Sequence, residues 1–183
     1  MEIDAKNAVK LLSPRLFALI TTTSEDSSTN ASPYSWVFPF SFSPPMLMIG
    51  TSKGKHTQEN AEREGEFVVN LVSEDFGQKA CDLEALHGEN QLDWVGLEEI
   101  DSKKVKVKGV KEARIRLECK LIETIEPKKG DHVFLVGEIV SAECSEMSEA
   151  FPDLDKLNLL MHVSGPEFRK IGEKVALERK KAE

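Results

Sequence analysis

Apolar and polar positions alternate most cleanly from Arg114 to Leu121. Ile115, Leu117, Cys119 and Leu121 take one parity; Arg114, Arg116, Glu118 and Lys120 take the other. A period of two sends successive side chains to opposite faces of a strand, so this segment is predicted as a strand with one buried face. A turn at Pro127–Asp131 follows, then a long strand over His132–Cys144 whose middle, Val133–Val136, is apolar on both faces. Leu16–Thr23, Met46–Thr51 and Phe67–Val72 read as further strands, rich in β-branched and apolar residues, with Phe168–Ile171 as a short last one. Ser24–Thr29 reads as a hairpin loop, with Ala31–Val37 returning as its partner, although Pro33 argues against a continuous central ladder there. Val105 and Val107 alternate with lysines, which predicts an edge strand blunted by charge.

The period changes in four places. Asp4–Leu12 is predicted as a helix capped by Asp4 and ended by Pro14. Lys55–Glu64 is helix-compatible, with Gly65 at its C-terminal stop. Asp75–Leu86 places Phe76, Ala80, Leu83 and Leu86 at helical spacing, and Asp153–Met161 is read as a last helix. Gly88–Leu97 reads as a loop, and the charged tail from Glu173 as helical or frayed. About six or seven strands at short spacing, without regular βαβ alternation, favour an antiparallel, mainly β barrel with helical insertions over a doubly wound sheet. There is no internal repeat.

Composition narrows the function classes. The chain has 183 residues and 24 Lys+Arg against 32 Asp+Glu, a net charge of −8, with 40% hydrophobic residues. That length suits one domain, placed at residues 1–172 with a charged C-terminal tail at 173–183. The acidic balance argues against nucleic acid or an anionic membrane as partner, because phosphate polymers call for clustered Lys and Arg. No apolar run approaches the ~20 residues that span a bilayer, and the N-terminus has no apolar signal core. Cys81, Cys119 and Cys144 are odd in number and widely spaced, without a CxxC pair, which fits reduced thiols in a cytoplasmic protein. His87 and His162 lack ligand spacing, so no metal site is expected.

Two segments could carry chemistry. Gly50-Thr-Ser-Lys-Gly-Lys-His-Thr57 lies between a strand and a helix and concentrates hydroxyls (Thr51, Ser52, Thr57) with Lys53 and Lys55. Free N–H groups at a helix start, with hydroxyl and ammonium donors, make a phosphate cradle; a solvated turn capping a helix would look similar. It is not a Walker A loop, since His56 rather than Ser or Thr follows Lys55. Asn30–Pro45 interleaves Ser32, Ser35, Ser41 and Ser43 with Tyr34, Trp36, Phe38, Phe40 and Phe42. Alternation permits aromatics inward and serines outward; it also suits an apolar slot edged by hydrogen-bonding groups, as a planar heterocycle requires.

The order of these segments is more specific than either alone. Ser43-Pro-Pro-Met-Leu is followed by the Thr51–Thr57 loop, by Thr57-Gln-Glu-Asn60 and by Phe67-Val-Val-Asn70. Gly130-Asp-His132, Gly137-Glu138 and Trp94-Val-Gly-Leu97 come later. This arrangement resembles the flavin reductase-like family of the FMN-binding split barrel, over about residues 14 to 172. The resemblance implies bound FMN in a homodimer with the flavin near the interface. It implies that Thr51, Ser52, Lys53, Thr57 and Asn60 hold the phosphate and ribityl chain. Ser32, Tyr34, Ser35, Trp36, Val37 and Phe38 would line the isoalloxazine ring, and His132 would lie on the nicotinamide or substrate side. Family members often carry a C-terminal Gly-Gly-x-x-Tyr segment; the counterpart here is Ser164-Gly-Pro-Glu-Phe168, without the hydroxyl.

Three functions are then distinguishable: an FMN-dependent oxidoreductase using NAD(P)H, a non-catalytic FMN electron carrier docking to a redox partner, and a cofactor-free interaction module. Hydride transfer depends on stacking and distance more than on a titrating residue, so the lack of an obvious catalytic dyad fits the first two. From the donor density of the loop, Lys53→Ala is expected to weaken FMN binding by about 1–3 kcal/mol.

Overall fold

The computed structural model describes residues 2–86, 88 and 91–177. The N-terminal segment is a 3-10 helix at Ala5–Leu11 rather than an α-helix. Asp4 caps it, accepting from the Lys6 N–H at 3.0 Å, and none of its residues is buried. With no packed face, nothing in the rest of the chain stabilises regular α geometry there.

The chain then forms β1 (Arg15–Leu16), β2 (Ala18–Thr23), β3 (Thr29–Tyr34), β4 (Val37–Phe42) and β5 (Pro45–Ser52), followed by helix α1 (His56–Glu64) and β6 (Glu66–Leu71). A 3-10 turn, α2 (Gly77–Asp82), a second 3-10 turn and α3 (Gln91–Trp94) come next, then β7 (Glu99–Ile100) and β8 (Gly109–Val110). The long strands β9 (Ile115–Ile125) and β10 (His132–Cys144) follow, with β11 (Met147–Ser148), β12 (Phe151–Pro152), α4 (Leu154–Leu157), β13 (Leu160–Ser164) and β14 (Glu167–Lys170) closing the fold. The recorded strand pairings are antiparallel.

The main sheet has seven strands in the order β3-β2-β6-β9-β10-β5-β4. It curls until edge strand β3 meets β5, where the Tyr34 hydroxyl lies 3.0 Å from Thr51 Oγ1. The result is a barrel with a seam, β3 and β4 forming its unpaired edges. Pro33 sits on β3, where the missing N–H costs no central ladder bond. One core fills the barrel, built on Ile20, Ile49, Phe67, Val69 and Leu135. A second packs the outer face of β2 against the α2–α3 region through Leu19, Val72, Phe76, Leu83, Leu92 and Leu97. Each of these residues is less than 3% exposed, so both faces of β2 are dry.

Five further expectations need correction. Leu16–Thr23 is not one strand: it breaks at Phe17, whose carbonyl accepts from Val72 N–H, and Arg15–Leu16 pair with β13 in a separate small sheet. Asp75–Leu86 keeps its predicted buried face but runs as 3-10, α and 3-10 turns. Asp153–Met161 gives only one helical turn; Asn158 takes a left-handed φ of 48°, and Leu160 N–H bonds Val72 O, which draws the chain into β13. Gly88–Leu97 contains the short helix α3.

The fifth correction is the lysine-rich stretch, which forms no strand at Val105 and Val107. Both valines are buried against Val68. The backbone N–H groups there find carboxylates in place of a neighbouring strand: Glu118 accepts from Lys103 at 2.9 Å and Lys104 at 2.6 Å, and Glu66 accepts from Lys106 at 2.7 Å. Residues 171–177 carry no helix or strand, and the rest of the tail, like His87, lies outside the described residues. No described helix is long and apolar enough to cross a membrane.

Candidate functional site

At the seam, where β3 meets β5, a cavity of about 330 Å³ opens beside the start of α1. Strand β3 contributes Ser32, Pro33 and Tyr34, β5 contributes Thr51 and Ser52, and the helix start contributes Lys55, His56 and Thr57. The local sequence explains the helix end. Gly65 closes α1 with a left-handed φ of 72°, while Lys55 at the other end offers no side-chain cap. The N–H groups of His56 and Thr57, at the cavity, therefore have no intrahelical partner, while that of Gln58 bonds Lys55 O. Lys55 adds a cation at the same place.

The hydroxyls on the opposite wall form a network. Thr51 and Thr57 are both 1% exposed, and the Thr51 hydroxyl is hydrogen-bonded to the part-buried Tyr34 hydroxyl at 3.0 Å. Burial pushes the Tyr34 phenol above its ordinary value, with bonding to Thr51 and Thr57 partly offsetting it. The phenol therefore stays protonated at neutral pH and can donate.

Of the residues that the resemblance assigns to the flavin, Ser32, Tyr34, Thr51, Ser52 and Thr57 line this one cavity. It separates the others. Asn60 lies one turn further along α1, 5% exposed; its amide donates to Thr22 Oγ1 at 3.2 Å and accepts from Arg63 at 3.0 Å, tying the helix to β2. Lys53 pairs with Glu126 at 2.8 Å, and its N–H bonds Asp131 O at 3.1 Å. It does not line the seam cavity. Ser35 lines a neighbouring cavity. Val37 is buried in the barrel core, and Phe38 sits half-buried on β4 opposite Met48.

Trp36 and His132 do not line the seam cavity. Register pairs His132 with Ser52 and Phe134 with Gly50, while Val133 and Leu135 pair with Thr51 and Ile49 and point into the core. The Trp36 ring stacks on His132 at 4.6 Å and 23°, covering Gly50, where a Cβ would come within 2.6 Å of Trp36 Cε3. His132 Nδ1 lies 2.7 Å from the Asp131 carboxylate, which this hydrogen bond holds below the usual carboxylate range. Within this chain, His132 does not reach the seam cavity.

Sequence reasoning missed the far wall. Leu83 and Leu86 supply apolar surface, and Gln91 fixes the corner. Gln91 is 3% exposed; its carbonyl accepts from Asn30 Nδ2 at 3.2 Å and Ala31 N–H at 3.0 Å, and its amide donates to Leu86 O. Nothing local marks this glutamine, since the Ala31 N–H that its carbonyl holds is 60 residues away. Glu84 also lines the cavity and has no recorded partner among the described residues. No group of three His, Cys, Asp or Glu suited to a metal ion occurs among the described residues.

This arrangement can bind an anion at one end and a flat, hydrogen-bonding group along β3. Comparison with known proteins shows the family and the fold. The description of the flavin reductase like domain matches residues 12–164. The Bacillus subtilis protein YwrF is 33% identical, covering 97% of this chain and 96% of its own. Nitrilotriacetate monooxygenase component B from Bacillus cereus superposes with a TM-score of 0.87 at 27% identity, covering 96% of this chain and 95% of that one. Flavoredoxin from Methanosarcina acetivorans gives 0.83 at 25% identity, covering 97% and 94%.

Proposed function

Because the chain belongs to the flavin reductase-like family, we propose that it is an FMN-binding oxidoreductase that draws electrons from NAD(P)H. The single observation that carries this reading is the seam cavity, with an uncapped helix start and Lys55 at one end and the β3 backbone with Tyr34 along its side. An FMN phosphate carries about −1.5 to −2 charge near neutral pH. In a protein of net charge −8, the helix start and Lys55 are a local exception to the acidic surface.

The residues fit the cofactor. The N–H groups of His56 and Thr57, Lys55 and the hydroxyl of Thr57 would hold the phosphate. Ser52, Thr51 and Tyr34 supply hydroxyl donors toward the ribityl chain, and Ser32 lies where the ring would run. Leu83 and Leu86 close the apolar side and exclude water. When bound, the flavin supplies reversible one- and two-electron chemistry. The chain's contribution is orientation: Tyr34 stays protonated, Thr51 is locked by it, and Gln91 braces the β3 backbone.

A visible spectrum of the purified protein, then anaerobic mixing with NADH and NADPH, tests the reading. Bleaching of the bound flavin supports a reductase. A flavin that stays oxidised with both donors turns the reading to an electron carrier. Protein that neither carries nor binds FMN refutes it.

A further inference from the structure

A relay of hydrogen-bonded side chains joins α1, β2, β3 and α3. Arg63 Nη1 on α1 donates to Asn60 Oδ1 at 3.0 Å, and Asn60 Nδ2 donates to Thr22 Oγ1 on β2 at 3.2 Å. Thr22 Oγ1 donates across the register pair to Asn30 Oδ1 on β3 at 3.5 Å, and Asn30 Nδ2 donates to Gln91 Oε1 on α3 at 3.2 Å. Gln91 Nε2 ends the relay on Leu86 O at 3.0 Å. Asn60, Thr22, Asn30 and Gln91 are at most 7% exposed.

The direction of the relay is fixed at both ends. A guanidinium only donates, so Asn60 meets it with its oxygen and keeps its nitrogen for Thr22. A carbonyl only accepts, so Gln91 meets Leu86 with its nitrogen and keeps its oxygen for β3. The Ala31 N–H bonds that same oxygen at 3.0 Å, so Gln91 satisfies a donor of the edge strand β3. Each amide then has one orientation, and every donor points from α1 toward the far wall. Links of this kind polarise one another, and breaking one leaves buried groups unpaired on both sides of the break.

The two ends of the relay stand at different parts of the site. Asn60 belongs to the helix whose start lies at the seam cavity, and Leu86 and Gln91 form the wall opposite. Thr22, the middle link, lines neither this cavity nor the polar one of about 780 Å³ that shares Asn30, His56 and Gln91 with it. We propose that the relay couples the far wall to α1, with Gln91 as the positioning residue that sets Leu83 and Leu86 across from β3. That the ligand held there is a flavin rests on the function proposed above; the coupling of wall to helix does not.

Thr22→Val cuts the relay in the middle, keeps the shape of the side chain and touches no ligand. Thr21→Val is its matched control: Thr21 is equally buried, and its hydroxyl donates to Lys108 O at 2.7 Å on the opposite face of β2. Amide hydrogen exchange of flavin-free protein, followed by mass spectrometry in peptides carrying Ala31 and Leu92, reads the wall and the β3 edge. Thr22→Val should speed exchange there about tenfold, and Thr21→Val should leave it within about twofold. Thr22→Ser, which restores the hydroxyl, should return the parent's rates. Gln91→Leu should match Thr22→Val, and the double variant should add little to either, as for members of one network. Coupling is reciprocal, so Gln91→Leu should also speed exchange in α1, which keeps the test standing if Thr22→Val does not fold. In FMN titrations, Thr22→Val should raise the dissociation constant about three- to tenfold and Thr21→Val less than about twofold. Equal exchange in the two valine variants, additive effects in the double variant, a wall still fast in Thr22→Ser, or an α1 indifferent to Gln91→Leu would each overturn the coupling. Fast exchange in Thr22→Val alone of the valine pair, in a protein that binds no FMN, would overturn the flavin reading and leave the coupling standing.

Discussion

Lys53 and Lys55 stand two residues apart in the same loop, yet the structure gives them different work. Lys55 lines the seam cavity at the start of α1, whereas Lys53 is paired with Glu126 at 2.8 Å. A charge-assisted hydrogen bond contributes about 1.5–3 kcal/mol. Lys55 is exposed, which brings its share down to about 1–2 kcal/mol. Lys55→Ala should therefore raise the FMN dissociation constant roughly 5- to 30-fold. Lys53→Ala removes a surface ion pair whose members are 39% and 64% exposed, and should change FMN affinity less than about threefold. Titrating FMN into flavin-free protein while following flavin fluorescence reads both values. Repeating the titration at high salt should shrink the Lys55 effect, since screening weakens exposed charge pairs. Lys53→Ala proving the more damaging, or Lys55→Ala staying within about twofold of the parent, would refute this division of labour.

Other substitutions test the frame around the site. Gly137→Ala would place a Cβ 2.4 Å from Phe67 Cζ and 3.1 Å from Cys119 Cβ, and all three residues are buried; urea unfolding should show a loss of about 1–3 kcal/mol. Asn70 is fully buried, donates to Leu19 O at 3.1 Å and accepts from Val110 N–H at 2.8 Å, so Asn70→Ala should cost about 2–4 kcal/mol by the same measurement. Hydrogen bonds from Lys103 and Arg116 hold the Glu143 carboxyl below its ordinary value of 4.5. Its contribution is therefore complete above that ordinary value and is lost as pH falls through the lower folded value. The urea midpoint of Glu143→Gln should lie below the parent at neutral pH and converge with it in acid. Burial pushes the Cys119 thiol far up, so a thiol reagent should leave it unmodified until the protein unfolds.

The legible parts of the fold are those whose cause is local. β9 and β10 were readable because period-two alternation and length leave no competing structure, and α1 because Gly65 stops it. The stretch around Val105 and Val107 has the same alternation but no strand. Its acceptors are the side chains of Glu118 and Glu66, which only the folded sheet brings near. The helix expected at Asp153–Met161 fails for a related reason, because Ser73 and Val72 capture Leu159 and Leu160 as bridge and ladder partners. The site divides along the same line. Tyr34, Thr51, Ser52 and Thr57 were readable from one loop and one strand. Trp36 and His132 fall outside the cavity because their rings stack on each other over Gly50, a pairing that only the folded β5–β10 ladder creates. Gln91 was not readable at all, since a buried amide is defined by its partners.

The seam is what makes the site. A closed barrel would pair β3 with β4 and spend both edges on hydrogen bonds, leaving a packed interior. Here those edges stay unpaired, and the closing contact is the hydroxyl pair Tyr34–Thr51, between an edge strand and the strand next to the other edge. A side-chain closure leaves the β3 backbone near the cavity free to face a ligand, which a ladder would have consumed. It also makes Tyr34 serve two ends at once, packing on the barrel core with its ring and bordering the cavity with its hydroxyl. Tyr34→Phe separates the two roles. It keeps the ring, leaves the Thr51 hydroxyl only its long 3.4 Å bond to Ser52 O, and should cost about 1–2 kcal/mol of stability. FMN affinity should fall alongside, because Thr51 loses the partner that orients it. A Tyr34→Phe protein that unfolds earlier yet binds FMN as tightly as the parent would show that the closure holds the barrel without shaping the site.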